Sequence, residues 1–189
     1  MILSVLVPSI PERLIELYNL LKTYQSYIDK YNLAEQVELL SICDNKKRTI
    51  GKKRSDLIAM AQGAYIVISD DDDQLTECYF MFIRSEIEKG ADVITYDQLA
   101  RINFEYSIVR FGHNNPIEDF NKSGITLRPA WHCCTWKREV VRDIKFDDIM
   151  WGEDHNFALM ANKAAKTTSH IPEICHIYEH DAHLTASFQ

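Results

Sequence analysis

An apolar run, Ala64-Tyr65-Ile66-Val67-Ile68-Ser69, ends in four consecutive aspartates, Asp70 to Asp73. The run is short, rich in β-branched residues and preceded by Gly63, which is the signature of a buried strand. Four carboxylates cannot follow such a strand into a core, because burying unpaired charge is very costly. They must emerge at its C-terminal end, the edge of an open α/β sheet where ligands bind. A dense carboxylate cluster there suits a hard divalent cation, and such cations usually bring phosphates. The plainer alternative is a solvated acidic turn. An EF-hand loop starting at Asp70 fails, since it would need glycine where Leu75 stands and glutamate where Met81 stands.

The elements around this strand alternate. Leu3–Val7 reads as a first strand, followed by a helix opened by Ser9 and Pro11 with Leu14, Leu17, Leu21, Tyr24 and Ile28 as its apolar face. Val37–Ile42 is a second strand ending at Cys43-Asp44. Ile50–Gln62 is a helix capped by Gly63. The strand of the aspartates leads into a helix over Leu75–Lys89, with Asp73 as its N-cap, and Val93–Tyr96 is a fourth strand. This order predicts an α/β fold with a mainly parallel sheet flanked by helices. Beyond it, residues 100–112 and 125–137 read as strands around an Asn114-Asn115-Pro116 loop. Arg138–Ile144 is a short helix, and a helix starting near Trp151-Gly152-Glu153-Asp154 runs to about Ala165. What remains is a short tail carrying His170, His176, His180 and His183. The expectation is one domain, with a binding half over residues 1–98 and a smaller mixed half over residues 99–189.

A chain of 189 residues suffices for one such domain. The balance of 21 basic and 28 acidic residues, a net charge of −7, argues against duplex nucleic acid as the main partner. Lys46-Lys47-Arg48 and Lys52-Lys53-Arg54 form one local basic patch. The five cysteines, Cys43, Cys78, Cys133, Cys134 and Cys175, are odd in number and form no CxxC pair. They read as free thiols in a reducing, cytoplasmic compartment. The apolar N-terminus lacks a basic n-region and a cleavage site and is cut short by Pro8, and no run reaches membrane-spanning length.

Asp70-x-Asp72 after a buried strand resembles the DxD motif of GT-A (Rossmann-like) glycosyltransferases. Ser4-Val5-Leu6-Val7-Pro8-Ser9-Ile10-Pro11-Glu12-Arg13 looks like the first strand and nucleotide-binding turn of inverting, family-two-type members. Gly51-Lys52-Lys53-Arg54 is similar to their GxxRN segment, with Ser55 in place of the asparagine. Phe146-Asp147 with Trp151-Gly152-Glu153-Asp154 is similar to the FD…GED stretch that carries their catalytic base.

The resemblance covers most of the chain. It implies a metal-dependent, inverting transfer of a sugar from a nucleoside diphosphate donor, a UDP-sugar, to a glycan or other hydroxyl-bearing acceptor. Asp154 becomes the general base, with Glu153 beside it orienting the acceptor. Pro8, Ser9, Arg13, Asp44, Arg54, Asp70 and Asp71 become donor contacts, with Asp71 toward the ribose. Asp72, supported by Asp70 and a late histidine, becomes the site of Mn2+ or Mg2+. His180 is the histidine chosen, with His176 and His183 as alternatives.

The chemistry agrees with these roles. A divalent metal offsets the charge that develops on a departing diphosphate. Arginine suits multidentate contact with phosphate oxygens. A carboxylate in the first turn of a helix is favoured in its charged, proton-accepting form.

Each residue also has a plainer reading. Asp44 can form an Asx turn before Asn45. Asp154 can be a helix-terminal acid only. Lys46, Lys47 and Lys53 read as a solvated face. Trp131, Trp136 and Trp151 divide between core and sugar platform, with Trp151 the best platform. Two other functions compete: a metal-dependent nucleotidyltransferase or phosphohydrolase, and a non-catalytic sugar- or nucleotide-binding module. The turn Pro8-Ser9-Ile10-Pro11 lacks the glycines expected of a sugar nucleotidyltransferase.

Overall fold

A computed structural model describes residues 1–121 and 124–180. Strand β1 (Leu3–Ser9) is buried along its whole length, because it lies between β2 (Val37–Cys43) and β3 (Tyr65–Ile68), parallel to both. Its side chains alternate between two cores. Leu3, Val5 and Val7 pack with Tyr65 and Val67 against helix α1 (Leu14–Lys30) and helix α3 (Glu77–Glu88). Leu6 packs on the opposite face with Ile66 and Ile68, against helix α2 (Ile50–Met60) and helix α5 (Glu153–Ala164). This two-sided burial explains why the strand reads as a continuous apolar run instead of an alternating one. On α1 the buried stripe is Leu17, Leu20, Tyr24 and Ile28, while Leu14 is exposed. Each fully buried apolar side chain of this kind contributes about 1.5–3 kcal/mol.

The second half is built differently. Strand β5 (Val93–Ile102) turns at Asn103 and Phe104, both with positive φ, into the antiparallel β6 (Glu105–Gly112). The segment 125–137 is not one strand. It divides into β7 (Ile125–Pro129), parallel to β6, and β8 (Thr135–Lys137), separated by a turn in which Cys134 N–H donates to the Trp131 carbonyl. Helix α4 (Arg138–Val141) follows. Strand β8 enters antiparallel between β3 and β5, so β5 runs parallel to β3 without touching it.

The tail expected after α5 is instead the longest strand, β9 (Thr168–His180), which lies parallel to β5 with a bulge near Asp97 and Gln98. The resulting order is β2-β1-β3-β8-β5-β6-β7, with β9 beside β5, an α/β architecture with helices on both faces. Its long ladders, β1–β2 and β5–β9, are parallel.

Two local expectations are corrected. Gln74–Leu75 form a short strand, β4, that pairs with His176 and Ile177 of β9. Helix α3 therefore starts at Glu77 after Thr76, and Asp73 is not its cap. Helix α2 ends at Met60, so Gly63 does not cap it, and the Gly63 N–H instead bonds the Ser4 hydroxyl. The cysteines are free, with Cys133, Cys134 and Cys175 buried. Among the described residues no helix is long and apolar enough to cross a membrane.

Candidate active site

The C-terminal ends of β1, β3 and β9 and the N-termini of α2 and α5 open onto one cleft of about 530 Å³. On its first wall, the aspartates are clamped by cations. Arg13, in the 3₁₀ turn after β1, reaches Asp71 and Asp72, each at 2.7 Å. The Ser9 hydroxyl donates to Asp71 at 2.6 Å. Burial raises the Asp71 pKa, and the bonds from Ser9 and Arg13 offset only part of that rise. Lys53 is buried rather than part of a solvated face. Its ammonium donates to the Ser9 carbonyl at 2.7 Å and pairs with Asp44 at 2.9 Å. Pro8 lines the same wall.

Arg54 joins this wall to the opposite one. Its Nη2 donates to both Asp70 oxygens, at 2.7 and 2.5 Å, and its Nη1 donates to Glu153 at the start of α5. The guanidinium also lies over the Phe146 ring at 5.6 Å. Burial alone would lower the Arg54 pKa, but Asp70 and Glu153 outweigh it and hold the cation charged. Burial likewise works to raise the Asp70 pKa, yet Arg54 and His132 hold that carboxyl well below its usual range.

The glycine of the Gly51-Lys52-Lys53-Arg54 segment has a steric reason. A side chain at Gly51 would collide with the Asp147 carbonyl, so only glycine lets α2 approach the Phe146-Asp147 loop closely enough for Arg54 to reach Glu153. Thr49 caps α2 by accepting from Lys52 N–H at 3.0 Å.

On the second wall, Gly152 (φ 76°) adopts the left-handed conformation and starts α5. This delivers Glu153 inward and Asp154 to the cleft. Asp154 Oδ2 accepts from the Trp131 indole N–H at 2.8 Å and lies 3.3 Å from His132 Nδ1, a charge contact not aligned as a hydrogen bond. Burial raises the Asp154 pKa, but His132, Trp131 and Arg54 together hold it well below the usual carboxylate range. His132 Nε2 also lies 3.7 Å from Asp70. Burial and Arg54 lower the His132 pKa, and the two carboxylates outweigh them and raise it.

The late histidines separate. His176 is fully buried, hydrogen-bonded to Gln98 at 2.7 Å and 3.5 Å from Asp73. Burial lowers its pKa to about 3. Burial, with Asp70 and Asp72 nearby, raises the Asp73 pKa well above its usual value. His180 ends β9 and lines the cleft, its ring parallel to that of Tyr178. His183 lies outside the described residues. Trp151 lines the mouth of the cleft and is 67% exposed, whereas Trp136 is core.

The cleft thus brings together Ser9, Arg13, Arg54, Asp70, Asp71, Asp72, Glu153, Asp154 and His180. Among the described residues, no three His, Cys, Asp or Glu side chains are gathered as a preformed metal cage. Sequence reasoning missed Lys53 and His132 as site residues, and weighed Trp131 only as core or sugar platform. The signal for Lys53 was its position one residue before Arg54 on a helix turn facing the site. For Trp131 and His132 the one signal was Pro129, which ends β7 and opens the turn that carries both residues.

No protein-family model matches the sequence, and no curated protein matches it. Solved structures do match. A crystal structure of S. aureus TarS in complex with UDP-GlcNAc aligns with a TM-score of 0.63 at 14% identity, covering 100% of this chain and 62% of that one. The TarS complex with UDP aligns at 0.62 and 16% identity, covering 96% and 61%. A protein from STIV aligns at 0.52 and 18% identity, covering 91% and 82%. The chain therefore spans less than two thirds of the TarS chains it resembles. At these identities the likeness establishes the fold alone, an α/β sheet flanked by helices of the kind seen in these TarS structures.

Proposed function

We propose that this chain is an inverting glycosyltransferase that moves a sugar from a nucleoside diphosphate donor, a UDP-sugar, to an acceptor hydroxyl. The observation that carries this reading is the pairing, across one cleft, of a cation-clamped aspartate cluster with an ionised carboxylate, Asp154. The fold supports it, since TarS chains of the same architecture were crystallised with UDP and UDP-GlcNAc.

In this reading residues 1–98 supply the donor wall and residues 99–189 the acceptor wall. Asp44, held by Lys53, meets the base or ribose, as does Asp71. Pro8 and Ser9 shape the turn beneath the nucleotide. Arg13, only partly buried, turns from Asp71 and Asp72 to the phosphate oxygens. Arg54 has both terminal nitrogens committed to carboxylates, so we assign it a bridging role in place of direct phosphate contact.

The donor set fits a cation that arrives with the diphosphate. The Asp72 side chain is 45% exposed and lines the cleft, and small divalent ions often take only one or two protein carboxylates plus substrate phosphates. Asp72 would hold Mn2+ or Mg2+, with Asp70 behind it and His180 at the strand end. Bound there, the ion would offset the charge of the leaving diphosphate.

Transfer is a single displacement. The acceptor oxygen attacks the anomeric carbon as Asp154 takes its proton, and the electron pair of the bond from that carbon to oxygen leaves with the diphosphate. Asp154, held ionised, carries no proton at neutral pH, and takes the acceptor proton only as that oxygen bonds the anomeric carbon.

Calorimetric titration with UDP tests the donor site. Binding is expected with Mn2+, weakened by EDTA and lost in Asp72→Ala. If neither UDP nor GDP binds with metal present, the reading falls, and a phosphohydrolase or a non-nucleotide site takes its place.

A further inference from the structure

A carboxylate that takes a proton from an attacking hydroxyl must be ionised and must also present one particular oxygen at one particular angle. Two neighbours approach Asp154, and both act on Oδ2: the Trp131 indole N–H at 2.8 Å and His132 Nδ1 at 3.3 Å. Among the described residues no hydrogen bond or ion pair reaches Oδ1.

Trp131 is itself held rigidly. Its carbonyl accepts both the Cys134 N–H at 3.0 Å and the Trp136 indole N–H at 2.9 Å, and Trp136 is a fully buried core residue. Its ring also sits against His155 of α5 at 6.0 Å. The donor on Oδ2 is therefore anchored to the sheet through β8. It is also neutral. An indole N–H donates but exchanges no proton with a carboxylate, so it orients Asp154 without neutralising it.

We propose that Trp131 is a positioning residue, whose indole N–H fixes Asp154 Oδ2 and so dedicates Oδ1 to the acceptor proton. This rests on Asp154 being the general base. In the step so described, the acceptor O–H bond breaks toward Oδ1, the oxygen bonds the anomeric carbon, and the diphosphate departs with the electron pair.

The test compares wild type with Trp131→Phe, which keeps a ring beside His155 and removes the donor. UDP-GlcNAc serves as the probe, with water as acceptor, and UDP release is followed. Loss of orientation is expected to lower kcat about 10-fold or more, with KM for UDP-GlcNAc and the Kd for UDP within about twofold, because only the reacting geometry changes. Equal kcat in a variant that binds UDP normally overturns the inference while leaving the proposed function standing. A wild type that neither binds UDP nor releases it from the probe overturns the function, and the inference with it. Should Trp131→Phe fail to fold, the indole N–H resonance of Trp131 in wild type decides the point. It must move in Asp154→Asn, and an unmoved resonance overturns the hydrogen bond on which the inference stands.

Discussion

The two walls of the cleft handle charge in opposite ways. On the wall of the aspartates three carboxylates meet a cation: Asp71 meets Arg13, Asp44 meets Lys53, and Asp70 meets Arg54, while the buried Asp73 faces only His176. On the acceptor wall Asp154 meets a neutral indole and an imidazole on one oxygen only. Under the proposed transfer, the difference separates a wall that holds the donor from one that holds the base. Paired charges are stable and wait for a ligand that exchanges partners with them, whereas a carboxylate restrained on one side keeps its reactivity on the other. Arg54 belongs to both arrangements, since it binds Asp70 on one wall and Glu153 on the other.

The largest contrast should come from Asp154→Asn. Loss of the base is expected to reduce turnover by about 10² to 10⁴ while UDP affinity stays within about twofold, measured by UDP release and calorimetry. Next comes Arg54→Met, which leaves Asp70 and Glu153 buried without their cation. It should destabilise the fold by about 3–5 kcal/mol, read from urea unfolding. If Arg54→Met is as stable as wild type, the two walls are not joined through this cation.

A smaller effect is expected at the seam of the two halves, where Asp92 accepts from Lys166 N–H at 2.8 Å and Thr167 N–H at 3.2 Å, just ahead of β9. Burial works to raise the Asp92 pKa, and these bonds together outweigh it and lower the pKa. Its contribution is therefore present above the ordinary aspartate range and is lost as pH falls through the lowered folded value. Because the group is largely exposed, Asp92→Ala should cost only about 1 kcal/mol. The difference from wild type should shrink below about pH 4, followed by unfolding across pH. The smallest change should be at Trp151. This side chain is 67% exposed, so Trp151→Ala should leave unfolding within about 0.5 kcal/mol of wild type. If the ring is an acceptor platform, transfer slows without loss of UDP affinity.

The donor half was legible because its signals are local. A run such as Tyr65–Ile68 is buried on both faces and then meets four acids that cannot be buried unpaired, so strand, edge and site follow from neighbours in the chain. The acceptor half was not legible because its elements are set by distant partners. Thr168–His180 carries Pro172 and alternates irregularly, and β5 decides its register through a bulge. The segment 125–137 carries a local breaker, Pro129, on which β7 ends, and Thr135–Lys137 is then drawn between β3 and β5.

What the chain determined by itself is the α/β order, the acidic strand end, the start of α2 at Ile50 and that of α5 after Gly152, since each depends on propensity and charge over a few residues. Only the tertiary structure decided that Lys53 is buried on Asp44, that Arg54 spans the cleft, that His176 lies beneath the aspartates and that Trp131 holds Asp154. Each of those contacts joins residues far apart in sequence, and their energies depend on burial, which no local window records.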